Sequence, residues 1–152
     1  MSAVRDSTAN GTRQLVVFRL AGEHYALPIA SVIEIIRHTR PRSIMASDPW
    51  VRGVIGLRGK IIPIFDLAAR FGLPAGQDAE TDKIVIVDTA TGPIGVTVDE
   101  VDEVLTITPE QIEPVPAGGA DNGLDEIVKL GDRLVILLDP TTLLAGSALV
   151  SD

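Results

Sequence analysis

Cysteine is absent from this chain. Its absence excludes disulfides, thiol nucleophiles and thiolate metal ligands together, and it fits a reducing cytoplasm. Aromatic residues are only 3% of the 152 residues, so Val, Ile and Leu must fill any core. These compact, mostly β-branched side chains favour strands. No apolar run approaches the roughly 20 residues that a helix needs to span a bilayer. Residues 1–12 are polar, lack the apolar stretch of a signal peptide, and are expected to form a disordered leader. Basic charge is also short: the net charge is −8, which argues against a nucleic-acid partner. The charge is unevenly spread. Residues 1–77 hold 10 basic and 5 acidic side chains, whereas residues 78–152 hold 3 and 16. Such polarity can steer protein partners of opposite charge.

What the chain does have is a series of short strand signatures. Residues 14–20 are apolar on both sides of the alternation: Leu15 and Val17 on one, Val16, Phe18 and Leu20 on the other. Ala21 and Gly22 turn the chain, residues 24–27 return, and Val32, Glu34 and Ile36 mark a further strand. Residues 53–57 and 60–65 form a hairpin around Arg58-Gly59. Asp66 caps a short helix closed by Gly72. Asp48-Pro49 and Asp139-Pro140 are two further helix starts. Residues 83–88, 94–98 and 101–107 read as strands, and residues 127–130 pair with 133–138 around Gly131-Asp132. Residues 114–123 form a Pro/Gly loop.

The two halves repeat one another. An offset of 69 places Val16 on Val85, Leu27 on Val96, Val32 on Val101 and Glu34 on Glu103. An offset of 73 places residues 61–66 on 134–139. The expected fold is mainly β: two small barrels that close their own edges and share one hydrophobic core, with short helices. The expected boundaries are a domain at 13–146 and a tail at 147–152. Its first barrel covers about 13–77 with part of the C-terminus, and its second about 82–139.

The run Val51-Arg52-Gly53-Val54-Ile55-Gly56-Leu57-Arg58-Gly59-Lys60-Ile61-Ile62-Pro63-Ile64-Phe65-Asp66-Leu67 resembles the CheW family signature G-V-x-N-L-R-G-x-I-x-P-I-x-D-L. Tyr25-Ala26-Leu27-Pro28-Ile29, Val96-Thr97-Val98-Asp99-Glu100-Val101 and residues 130–139 are similar to further stretches of that family. One departure stands out: Gly56 occupies the place of the usual Asn.

The resemblance implies two SH3-like five-stranded β-barrels and a non-enzymatic adaptor without a cofactor. Its partners would be the regulatory domain of a CheA-type histidine kinase and the cytoplasmic hairpin tip of a chemoreceptor. The chain would sit in the cytoplasm at receptor arrays without inserting into the membrane. A scaffold for a pilus or developmental pathway, or a piece of a kinase regulatory domain, are the alternatives.

By the same resemblance, partner binding falls to Leu57, Arg58 and Gly59 at the hairpin tip and to Glu34. Val32, Val98 and Val101 would line a groove between the barrels. The plainer readings are a solvated turn arginine, an outward-facing strand glutamate and core valines. Gly53, Gly56 and Gly59 flank strand residues rather than lead into a helix, so they serve turns and packing, not a phosphate. Asp99, Glu100, Asp102 and Glu103 read as a solvated acidic edge rather than a cation loop. His24 and His38 fall in no triad or ligand spacing, and Trp50 reads as a packing anchor.

Overall fold

A computed structural model describes residues 11–44, 50–73, 82–114 and 124–140. Among the described residues, eleven strands run β1 Arg13–Leu20, β2 Glu23–Pro28, β3 Val32–Arg37, β4 Val51–Leu57, β5 Lys60–Asp66, β6 Lys83–Thr89, β7 Gly92–Val98, β8 Glu100–Ile107, β9 Ile112–Pro114, β10 Leu124–Leu130 and β11 Arg133–Leu138. One short helix, α1 Leu67–Arg70, follows β5. The Asp66 carboxylate accepts from the Ala69 N–H at 3.2 Å, the cap that the sequence predicts. The expected helix starts at Asp48-Pro49 and Asp139-Pro140, the 114–123 loop, the 1–12 leader and the 147–152 tail fall wholly or largely outside the described residues.

The strands form two sheets: β8-β1-β2-β11-β10-β9 and β3-β6-β7-β5-β4. Two β-subdomains are therefore present, as expected, but the chain is not divided between them in sequence order. The expected break between residues 77 and 82 falls between β5 and β6, which belong to one sheet. The repeat explains the actual division. Under the offsets of 69 and 73, β1, β2, β3, β4 and β5 correspond to β6, β7, β8, β10 and β11. Each sheet takes the first two strands from one repeat and the last three from the other. The two repeats have exchanged strands, and β9 extends one of the sheets to six.

The exchange is matched in register. Val104 faces Val16 in one sheet, and their counterparts Ile35 and Val85 face each other in the other. Leu137 lies beside Ala26 in a parallel ladder, as Ile64 lies beside Gly95. Even the irregularities correspond. The pairing skips Asp102 in β8 and its counterpart Ile33 in β3, and skips Asp125 in β10 and its counterpart Arg52 in β4. Such a bulge bends its strand and sharpens the twist, which helps a small sheet to curl.

Strands that are apolar on both faces serve two cores. Phe18 and Leu20 of β1, Tyr25 and Leu27 of β2, and Val85 and Val87 of β6 meet in a core shared by the two sheets. The opposite faces close on private cores. Leu15, Val17 and Ala26 pack with Val135 and Leu137 in one sheet. Ile84 and Ile86 pack with Ile55, Ile62 and Ile64 in the other. This is the physical meaning of the unbroken apolar runs 15–18 and 84–87. A strand covered on one face only would alternate with polar residues. Phe18, Tyr25 and Phe71 stack across the shared core, with successive ring centroids 6.3 and 5.6 Å apart. Burial, with the nearby Glu23 charge adding to it, raises the pKa of the Tyr25 phenol.

Candidate partner-binding site

Glu34 and Arg58 meet. The Arg58 guanidinium donates from Nη2 to Glu34 Oε1 at 2.7 Å and from Nε to Oε2 at 3.2 Å. They come from β3 and from the turn between β4 and β5, at opposite ends of one sheet's strand order. The sheet therefore rolls until its first strand faces the tip of its last hairpin. The Arg58–Glu34 side chains and one isolated backbone bridge, Arg42 to Val54, span the remaining gap. Glu34 pairs across with Ile86, so it points to the face of the private core. Ile36 and Leu57, the near neighbours of Glu34 and Arg58 in the chain, pack against that core.

The turn sets up this geometry. Leu57 pairs with Lys60 across two residues, Arg58 at φ 52° and Gly59 at φ 79°. Two left-handed residues in a two-residue hairpin match the twist of the flanking strands. Glycine adopts this conformation without cost, but arginine does so at about 1–2 kcal/mol. The Arg58 side chain is 70% exposed, against 25% for Glu34. Its Nη1 has no partner among the described residues. A planar, permanently charged group is thus oriented by a carboxylate and still has a donor to offer.

The other expected site residues divide. Gly59 is exposed at the turn beside Arg58, and Leu57 is half-buried beneath it. Val32 and Val101 are repeat counterparts, half-buried against the shared core. Val98 is only 1% exposed and belongs to that core. It borders a crevice of about 10 Å³ with Leu20, Arg52, Asp66, Thr97 and Asp99, space for one water rather than a partner side chain. The plain core reading holds for Val98, because both faces of β7 are covered.

A second ion pair closes the other sheet. Arg133 Nη2 donates to Glu103 Oε2 at 2.7 Å. Glu103 is the repeat counterpart of Glu34, and Leu105 and Leu130, counterparts of Ile36 and Leu57, lie on its private core. Reading Glu103 as part of a solvated acidic edge missed this partner. The signal was present in the offset that sets Glu34 on Glu103. The rest of that edge is also engaged. Asp99 accepts from the Ala21 N–H, and Arg19 bridges Glu100 and Asp102. His24 Nε2 lies 3.3 Å from Asp102. Trp50 packs on the shared core with Arg70 over its ring, as a packing anchor should.

Comparison with known proteins decides the family. The CheW-like domain model matches residues 14–148. This chain belongs to the CheW family. A probable chemotaxis protein CheW of Rhizobium etli is 35% identical over 80% of this chain and 78% of its own length. The chemotaxis protein CheW of Bacillus subtilis is 31% identical over 86% of each chain. The crystal structure of the scaffolding protein CheW of Thermoanaerobacter tengcongensis superposes with a TM-score of 0.81 at 34% identity, over 87% of this chain and 92% of that one. The chain is thus a chemotaxis scaffold of the CheW type with the family's two-subdomain β fold. No helix among the described residues is long and apolar enough to cross a membrane.

Proposed function

We propose that this CheW-family scaffold couples chemoreceptors to a CheA-type histidine kinase by binding both, without chemistry of its own. The regulatory domain of the kinase and the cytoplasmic hairpin tip of a receptor are its two partners. It works in the cytoplasm at receptor arrays. Holding the two in fixed geometry lets receptor state bias kinase state. The observation that carries this reading is the Arg58 guanidinium, 70% exposed yet oriented by both Glu34 oxygens. An oriented cation costs less to immobilise on binding than a free one. Leu57 and Gly59 shape that tip, and Val32 and Val101 present partly covered apolar surface at the seam between the sheets.

The test is titration calorimetry of the full chain against the kinase regulatory domain and, separately, a receptor hairpin from the same organism. Saturable binding to both is expected, with Arg58→Asp weakening at least one by about tenfold or more while circular dichroism stays unchanged. Two folded partners that fail to bind would reject the coupling role. Undiminished binding by the variant would remove Arg58 from it.

A further inference from the structure

The free edge of β4 carries a feature separate from the Arg58 ion pair. Leu57 and Lys60 flank a two-residue turn and exchange hydrogen bonds, so Gly56 and Ile61 form the next, non-bonded pair. The N–H and C=O of Gly56 therefore point off the sheet. Val54, two residues earlier, points the same way and bonds the backbone of Arg42, at 2.8 and 3.0 Å. That bridge is isolated. At Gly56 the edge is unpaired: its backbone has no partner among the described residues, and the sheet face above it has room for a side chain, since a Cβ there would meet nothing within 4 Å. A cleft of about 390 Å³ lies along this edge, lined by Thr39, Arg40, Arg42, Val54, Gly56 and Ile61 among others.

The chemistry of the cleft is one-sided. Arg40 and Arg42, which line it, have no ion-pair partner among the described residues, in a chain of net charge −8. Ile61, across the hairpin from Gly56, is 75% exposed. Unpaired strand donors, unneutralised guanidiniums and one bare aliphatic side chain call for a ligand with a backbone, carboxylates and an apolar residue. We infer that the β4 edge takes an extended acidic peptide segment as an added strand at Gly56. Arg40 and Arg42 would pair its carboxylates, and Ile61 would cover an aliphatic side chain. Strand addition draws affinity from main-chain bonds and selectivity from alternate side chains. A lipid headgroup supplies charge but no strand, so the open backbone favours a peptide.

The probe is a fluorescein-tagged peptide of alternating Glu and Val, titrated into the full chain at low salt, with the Lys/Val equivalent as control. Saturable binding of the acidic peptide alone is expected, with the Gly56 amide among the largest NMR shifts. The double substitution Arg40→Ser, Arg42→Ser should weaken it by about tenfold or more. Gly56→Pro removes the outward N–H and should weaken it comparably, while Gly56→Asn keeps the N–H and should bind as the parent does. Circular dichroism on each variant checks that the sheet is intact, and a misfolded Gly56→Pro leaves the decision to the NMR shifts and the arginine variant. Binding that a folded Gly56→Pro leaves undiminished would mean charge attraction alone. Binding only to phosphatidylglycerol vesicles, a Gly56 amide that does not move, or no peptide binding would each overturn the inference.

Discussion

The two sheets end in the same device and use it differently. Each has a glutamate on its first strand, an arginine at its last hairpin and aliphatic neighbours packed on its private core. At Glu103, Arg133 offers one short hydrogen bond, and its Nε is buried without a partner. At Glu34, Arg58 makes two bonds, occupies a left-handed turn position and projects into solvent. The surroundings differ as well. Arg42, bridged to β4, has Glu113 as its spatial counterpart on β9: Arg42 pairs with Val54 as Glu113 pairs with Ile127, the residue 73 positions on. One repeat end is basic where the other is acidic. A duplicated fold thus holds its closure in both copies while its surface chemistry diverges, because exposed side chains contribute little to stability and are free to differ.

The largest expected effect tests whether the exchanged repeats are one unit. Leu27 and Val96 are counterparts on β2 and β7, both fully buried in the shared core. Leu27→Ala should cost about 2–5 kcal/mol. Denaturant titration followed by amide exchange in both sheets should show a single transition, shifted equally in each. Two separate transitions would show the sheets to be independent and would break the comparison at its root.

A smaller effect separates the two ion pairs. Partly exposed pairs of this kind are worth about 0–1 kcal/mol, so Arg58→Ala and Arg133→Ala should both leave the fold intact. Arg133→Ala should be the more destabilising, since Arg133 packs its stem more deeply; side-chain exposure is 36% there against 70% at Arg58. Only Arg58→Ala should alter affinity for a signalling partner. Equal losses of affinity would make the two ends functionally equivalent.

The smallest effect appears at high pH. Burial holds the proton on Tyr25, so its folded pKa lies above the unfolded value of about 10. The associated stability is fully present below about pH 10 and is lost as pH rises through the folded pKa. The chain has one tyrosine, so tyrosinate absorbance reports that group alone. Tyr25→Phe should flatten the alkaline loss of stability relative to the parent. An unchanged slope would show that Tyr25 ionises equally well in the folded protein.

Most strands were legible because a strand's alternation is written locally. The apolar runs at 15–18 and 84–87, the turns at Ala21-Gly22 and Arg58-Gly59, and the Asp66 cap all follow from adjacent residues. β9 was not legible: three residues after a Pro-Glu-Gln turn carry too little pattern. The repeat was visible in its offsets, and so was the correspondence of Glu34 with Glu103. Glu34 and Arg58 could each be singled out, but not as a pair, since 24 residues separate them and only the curl of the sheet joins them.

Which half supplies the last three strands of each sheet was decided by tertiary structure alone. Repeated halves offer equivalent edges, so a strand's own pattern is satisfied by either neighbour; the choice rests on burying both apolar faces of β1, β2, β6 and β7 at once. The same long-range packing sealed Val98 in the core and left Arg58 in solvent. Local chemistry determined the elements, their faces and their turns. The partnership between elements came from the shared core, because burial is a property of the assembled surface and not of any one segment.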